Sequence, residues 1–243
     1  MLEGVPKIQL SDSTSDNRRR PQPEEGPLSI LYEDEAILVV DKPAGIVIHP
    51  TYKNTSGTLI NAVLWHVRIR ADAQPGILTR LDKDTSGVVL IALSPALHAS
   101  MQRNGAARIK KEYLAVVRGV PEPSSGRISL PLARDSGDRR RVVVTAEGAP
   151  SETHYECIAS RDGRSVVRCE LLTGRTHQIR VHLASQGWPI VGDAVYGLPD
   201  PCIARQALHA RRITFTHPVT RETLLIESPI PGDLAPLIGE TAV

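Results

Sequence analysis

From position 28 onward, apolar and polar residues alternate in short blocks. AILVV (36–40) is rich in β-branched residues and bounded by acidic and Pro-Gly segments, which predicts a central strand. Leu59, Ile60, Val63, Leu64 and Val67 recur at helical spacing. GVVLIAL (87–93) predicts another strand, and SPALHASMQRNG a helix with Ser94 at its N-cap, Pro95 in its first turn and Gly105 near its end. Further strands are expected at 112–119, 141–146, 151–159 and 165–172. THQIRVHLASQ reads as a short helix capped by Thr173 or Thr176, with Gly187 past its end. ALHARRITFTHP and ETLLIES read as a closing hairpin whose turn carries Pro218. Strands outnumber helices and mostly succeed one another directly, so the expected fold class is α+β: a largely antiparallel mixed sheet with short flanking helices.

Residues 1–27 have a different texture. They are polar, interrupted by Pro21 and Pro23, and balance Arg18 to Arg20 against Glu24 and Glu25, which predicts a disordered leader before a single domain at 28–243. Composition narrows the class. The three cysteines, Cys157, Cys169 and Cys202, show no pairing logic, and the start of the chain has no apolar signal segment, so a reduced cytoplasmic protein is expected. No apolar run approaches the roughly 20 residues of a membrane span. Net charge is only +2, yet eight arginines face four acids between Arg161 and Arg212, and Arg139, Arg140 and Arg141 form a second cluster after DSGD. A solvated surface and a phosphate-binding face both fit that distribution.

TRLDKDTSGVVL (79–90) sets Asp82 and Asp84 just ahead of an apolar strand. DTSG resembles the aspartic protease signature, whose chemistry needs two carboxylates sharing a proton. The second copy would be DSG at 135–137, an arginine-flanked turn too close in sequence for a two-lobed enzyme. Asp84 is better read as a turn residue accepting from nearby backbone N–H groups. In an extended RLD, Arg80 and Asp82 share one side, an arrangement that on spacing alone describes a surface ion pair.

Other stretches change that reading. RLDKDTSG resembles the R-L-D-x-x-T-S-G motif of the RluA family of RNA pseudouridine synthases, and further blocks follow in the family's order: VVDKPAGIVIHP (39–50), KKEYLAVVRG (110–119), LLTGRTHQIRVHLASQGWPIVGDAVYG (171–197) and LHARRITFTHPVT (208–220). The resemblance runs from about Leu28 to Leu234. Thr79 stands where many members have histidine, and the short polar leader is not expected to form the extra N-terminal RNA-binding domain that some relatives carry.

The resemblance implies the pseudouridine synthase fold and an isomerase that breaks the uridine glycosidic bond, turns the uracil and rejoins it through C5. It implies ribosomal or transfer RNA as partner, no cofactor, no metal and a monomer. Asp82 would be the catalytic carboxylate, paired with Arg180, and Tyr113 would stack on the uracil and help remove the C5 proton. Arg80 would fill the space left by the flipped base. Arg175, His177 and Gln178 would shape the helix start and hold phosphate or the aspartate loop, Arg139 to Arg141 would lie along the RNA, and His209 would be structural. Two other classes remain open: a non-catalytic RNA-binding relative, and a metal-dependent nuclease using Asp82, Asp84 and Asp193. His177 and His182, five apart, do not share a helix face well enough for a metal pair.

Overall fold

The computed structural model describes residues 21–105, 109–138 and 140–239. The two most apolar runs become adjacent strands, β2 (Ile37–Lys42) and β4 (Ser86–Ala92), paired antiparallel and buried on both faces. Their side chains alternate as the pleat requires. Leu38, Val40, Val89 and Ile91 pack against Leu59, Ile60 and Val63 of α1 (Leu59–Val67). Ile37, Val39, Val88 and Leu90 face the opposite layer, with Phe215 and with Met101 of α2 (Pro95–Gly105). Two layers on one sheet explain why these runs are almost wholly apolar, with no polar alternation.

Among the described residues the sheet contains ten strands. β1 (Ser29–Glu33) flanks β2 at one edge, and the short β3 (Gly76–Ile77) also pairs with β4. Beyond β4 lies β11 (Leu208–Thr216), followed by β5 (Lys110–Arg118), β10 (Arg164–Leu171), β9 (Glu152–Arg161) and β6 (Ser125–Ser129). β12 (Thr223–Glu227) forms a hairpin with β11, while β7 (Leu132–Arg134) and β8 (Val142–Val144) make a separate two-stranded sheet. Among the described residues all strand pairings are antiparallel except β4 with β11. The expected mixed, mainly antiparallel α+β architecture is therefore the observed one.

That parallel junction positions the site. Ala210 of β11 lies opposite Gly87 of β4 on one side and opposite Tyr113 of β5 on the other, which sets Tyr113 level with the loop that leads into β4. Gly87 has φ +113°, and a Cβ there would come within 2.2 Å of the Ala210 carbonyl oxygen. The glycine of DTSG is thus required by backbone conformation and by close strand approach. α3 (Gln178–Ser185) follows β10 and brings Arg180 to the loop that leads into β4, and the short α4 (Ala235–Ile238) lies near the end of the described residues.

Some local readings change. Ser94 does cap α2, its hydroxyl accepting from the Leu97 amide at 3.3 Å. The N-cap of α3 is His177, in a left-handed conformation, and neither Thr173 nor Thr176 takes that place. β1, β3, β6 and β7 arise where no strand was expected, because β3 has only two residues and β1, β6 and β7 are short and carry exposed residues that blur the period-two pattern. Part of the polar segment is held in place: the Glu24 amide donates to the Asn61 carbonyl at 3.1 Å and the Asn61 side chain donates to the Gln22 carbonyl at 2.6 Å. A buried helix-capping asparagine supplies the partners that composition did not reveal. Arg18 to Arg20 and the rest of positions 1–20 lie outside the described residues.

Candidate active site

A cleft of about 200 Å³ opens where the β4 lead-in loop, β5 and the start of α3 converge, lined by Arg80, Asp82, Lys111, Tyr113, Arg175 and His177 among others. Its volume is below the roughly 300–1,000 Å³ of drug-sized ligand sites and suits a single planar base. Asp82, separated by 98 residues from Arg180, accepts a hydrogen bond on Oδ2 from Arg180 Nη1 at 3.1 Å. Its Oδ1 has no hydrogen-bond donor among the described residues.

Arg180 does not stand alone behind Asp82. Its Nε and Nη2 donate to the two oxygens of Asp193 at 2.7 and 2.9 Å, with both side chains buried. The Val195 and Tyr196 amides also donate to Asp193. Burial works against the Arg180 charge, but the bonds from Asp193 and then Asp82 outweigh it, so the guanidinium is held more firmly protonated than usual. Burial likewise opposes ionisation of Asp193, and the Arg180 hydrogen bonds reverse that effect, leaving its pKa lowered. The result is a fixed cation with one donor presented to Asp82.

His177 approaches the same Asp82 oxygen as Arg180. The Tyr196 hydroxyl accepts from the Val142 amide at 2.8 Å and lies 2.8 Å from His177 Nδ1. A hydroxyl that accepts from the amide and donates to Nδ1 would put the proton of a neutral imidazole on Nε2, 3.8 Å from Asp82 Oδ2. Burial, partly opposed by Asp82, lowers the His177 pKa and favours that neutral form. Its left-handed φ of 56° is uncommon for a non-glycine residue, and this strain falls at the site, as active-site strain commonly does.

Tyr113 is buried and lines the cleft. Burial, reinforced by the Asp82 charge, pushes its hydroxyl pKa up, so the group is a neutral phenol. It can take a proton from a substrate only if its own proton is passed on. Lys111, two residues earlier on the same side of β5, lines the same cleft, and burial lowers its pKa. Sequence reasoning passed over this lysine because KKEY offers two adjacent candidates with no periodic signal to separate them.

The remaining candidates separate clearly. Arg80 is exposed on the rim of the cleft. Arg175 is exposed, and its Nε donates to the Pro150 carbonyl at 3.2 Å. Gln178 corrects its assignment as an RNA contact. It is 2% exposed, its Oε1 accepts from Thr173 Oγ1 and the Arg175 amide, and its Nε2 donates to the Glu152 carbonyl and Thr153 Oγ1. With donors and acceptor spent inside the protein, it shapes the turn and has none left for a phosphate. Arg140 is exposed and paired with Asp138, and Arg141 lies over the Tyr196 ring; Arg139 lies outside the described residues. His182 bonds Thr153 and the Leu130 carbonyl, and His209 is buried against Ser86, so both are structural.

Asp84 makes no side-chain hydrogen bond among the described residues, contrary to the turn role read from sequence. The loop is pinned instead by Lys42, which is fully buried and donates to the carbonyls of Pro43, Ile46 and Lys83 at 2.7, 2.9 and 2.9 Å. Burial lowers its pKa to about 8. Thr79 is tied inward as well, its hydroxyl accepting from the Leu90 amide at 2.9 Å. A nuclease built on Asp82, Asp84 and Asp193 has no ligand set here, because Asp193 has both oxygens committed to Arg180.

Fold and site together define an RNA pseudouridine synthase. Residues 36–185 match the RNA pseudouridylate synthase family, and the chain belongs to that family, whose members are isomerases acting on RNA. Ribosomal large subunit pseudouridine synthase D of Nitrosomonas europaea is 41% identical over 246 residues, covering 97% of this chain and 71% of that protein. The protein of the same name from Pseudomonas aeruginosa is 40% identical, covering 87% of this chain and 71% of its own length. Among solved structures, human RNA pseudouridylate synthase domain containing 1 superposes with a TM-score of 0.69 at 29% identity, covering 88% of this chain and 90% of that one. No helix among the described residues is long and apolar enough to cross a membrane.

Proposed function

We propose that the chain isomerises uridines of ribosomal RNA, with Asp82 as the reacting carboxylate. The observation that carries this reading is the asymmetry of Asp82: Oδ2 is held by an arginine that Asp193 anchors, while Oδ1 has no internal donor and its residue lines a base-sized cleft. An ionised carboxylate so held can attack the sugar or the base, or take a sugar proton, without first reorganising. The C1′–N1 bond breaks, C1′–C5 forms, and the C5 proton leaves to solvent as N1 gains one, so no redox partner or group donor enters the balance.

The other residues take supporting parts. Tyr113 stacks on the uracil and relays the C5 proton rather than acting as a preformed phenolate, in keeping with its raised pKa. Arg80 occupies the space left by the flipped base, and Lys111 and Arg175 meet phosphate or uracil oxygen atoms. The choice of large-subunit RNA, over transfer RNA, draws on what the Nitrosomonas and Pseudomonas relatives are named for. With it go a cytoplasmic location and a monomer acting through one catalytic unit at 28–243.

The test is release of tritium from C5-labelled, unmodified large-subunit ribosomal and transfer RNA transcripts, with Asp82→Asn alongside. Wild type should release tritium from the ribosomal transcript, while Asp82→Asn should stay at background and bind the RNA with similar affinity. Turnover by Asp82→Asn at the wild-type rate would refute the assignment.

A further inference from the structure

Arg205 reaches the turn that carries Asp82 from just ahead of β11. Its Nη1 donates to the Asp84 carbonyl at 3.2 Å, and to the Gln206 and Leu208 carbonyls at 3.3 Å each. Gln206, beside it, donates from Nε2 to Thr85 Oγ1 at 3.2 Å. The turn itself is closed by the Thr85 amide, which donates to the Asp82 carbonyl at 3.2 Å. The parallel pairing of β4 with β11 sets Ser86 opposite His209 and Gly87 opposite Ala210. The side chains of Arg205 and Gln206 extend that join past the strand ends, to residues 84 and 85.

Arg205 is itself held. Its Nε and Nη2 donate to Oδ2 and Oδ1 of Asp233 at 2.7 and 2.9 Å, a fork that fixes the plane of the guanidinium. The arginine side chain is 9% exposed and that of Asp233 47%, so the aspartate anchors from the surface a cation that points inward. Asp233 lies past β12, in the turn that the Leu234 and Ala235 amides close on the Pro231 carbonyl before α4. The arrangement repeats that of Arg180. Arg180 gives Nε and Nη2 to Asp193 and Nη1 to the Asp82 carboxylate; Arg205 gives Nε and Nη2 to Asp233 and Nη1 to the Asp84 carbonyl. One aspartate-anchored arginine holds the reacting side chain, and a second holds the backbone two residues on.

We propose that Arg205, oriented by Asp233, is a positioning residue for the isomerisation: it fixes the backbone of the turn and so sets where Asp82 stands relative to Tyr113. Tyr113 takes its level from Ala210 of β11, and Arg205 ties the start of the same strand, at Leu208, to the turn that carries Asp82. A displacement of about 1 Å between groups held for reaction can cost about 100-fold in rate. Arg205 is not among the residues that line the cleft, so its loss should act on rate and spare affinity. The inference rests on the role proposed for Asp82 and adds to the reaction a pair of residues outside the cleft.

The test is single-turnover tritium release from the large-subunit transcript at saturating enzyme, with Kd for the same RNA from fluorescence anisotropy and urea unfolding of each variant. Arg205→Met, which keeps the length of the side chain and removes its donors, should lower the single-turnover rate by about 10- to 100-fold with Kd within about twofold of wild type. Asp233→Asn should lower it less, and the double variant should be no slower than Arg205→Met, because Asp233 acts through Arg205. A folded Arg205→Met with the wild-type rate would overturn the proposal, as would a Kd that rises by the factor by which the rate falls. Should Arg205→Met prove unfolded at the assay temperature, Asp233→Asn decides: a lower rate at unchanged Kd upholds the proposal, and the wild-type rate overturns it. Losses that multiply in the double variant would overturn the coupling to Asp233. Wild type that releases no tritium, or Asp82→Asn that releases it at the wild-type rate, would overturn the reading of the site itself, a different failure.

Discussion

Replacing Asp193 by asparagine separates the anchoring of Arg180 from the chemistry of Asp82. Asparagine preserves the shape of the side chain. Its carbonyl can keep the Oδ1 position, which accepts from Arg180 Nη2 and from the Val195 and Tyr196 amides. Its NH2 group then replaces Oδ2, which sits 2.7 Å from the Arg180 Nε donor. Two donors face each other at hydrogen-bond distance, and a buried guanidinium loses its main counter-charge. Breaking one partner of a buried ion pair costs about 3–5 kcal/mol, and Asp82 offsets part of this at 3.1 Å. The expectation is a loss of about 2–4 kcal/mol in urea unfolding, followed by Trp65 and Trp188 fluorescence. Arg180 released on one side also loses its fixed direction, so kcat should fall while KM changes little. A variant with unfolding free energy within about 0.5 kcal/mol of wild type and unchanged kcat would refute the anchoring argument.

Two further outcomes follow from buried groups. Gly87→Ala must put a Cβ within 2.2 Å of the Ala210 carbonyl in a left-handed conformation, so it should destabilise by more than about 3 kcal/mol and reduce activity by shifting the Asp82 loop; wild-type thermal unfolding and turnover would contradict this. His209 is fully buried, and burial lowers its pKa to about 4. Between pH 6.5 and 4 the unfolded chain therefore binds a proton that the native state refuses, and stability is lost as pH falls, by about 2 kcal/mol from pH 6.5 to 5. Urea midpoints measured across that range should fall in wild type and fall less in His209→Asn; equal slopes in the two proteins would count against it.

How far the sequence could carry this picture depended on periodicity. α1 runs over the positions whose apolar spacing predicted it, and β2 and β4 fall on the two apolar runs, because both elements bury a full face against one layer. The site's partners were legible only through family resemblance. Nothing in the spacing of Asp82 and Arg180 says that a loop and a helix 98 residues apart will meet. Asp193 drew notice for the wrong chemistry, since a lone aspartate near Gly192 looks like any turn residue. Lys42 was invisible: lysine is normally solvated, and only the loop folded over it supplies three carbonyls for its ammonium. The left-handed φ of His177 was equally hidden, because nothing in its residue type or neighbours calls for it.

The position of β11 has a consequence for how the enzyme comes into being. Residues 208–216 fill the gap between β4 and β5 and, among the described residues, join the early strands to the later ones in the sheet. Until that segment has been synthesised, the chain holds two half-sheets with unsatisfied inner edges, and Tyr113 has no fixed level relative to Asp82. Most of the chain must therefore leave the translation machinery before any of it can work. The closing of the gap is a long-range step of the kind that slows folding and leaves strand edges open in the meantime.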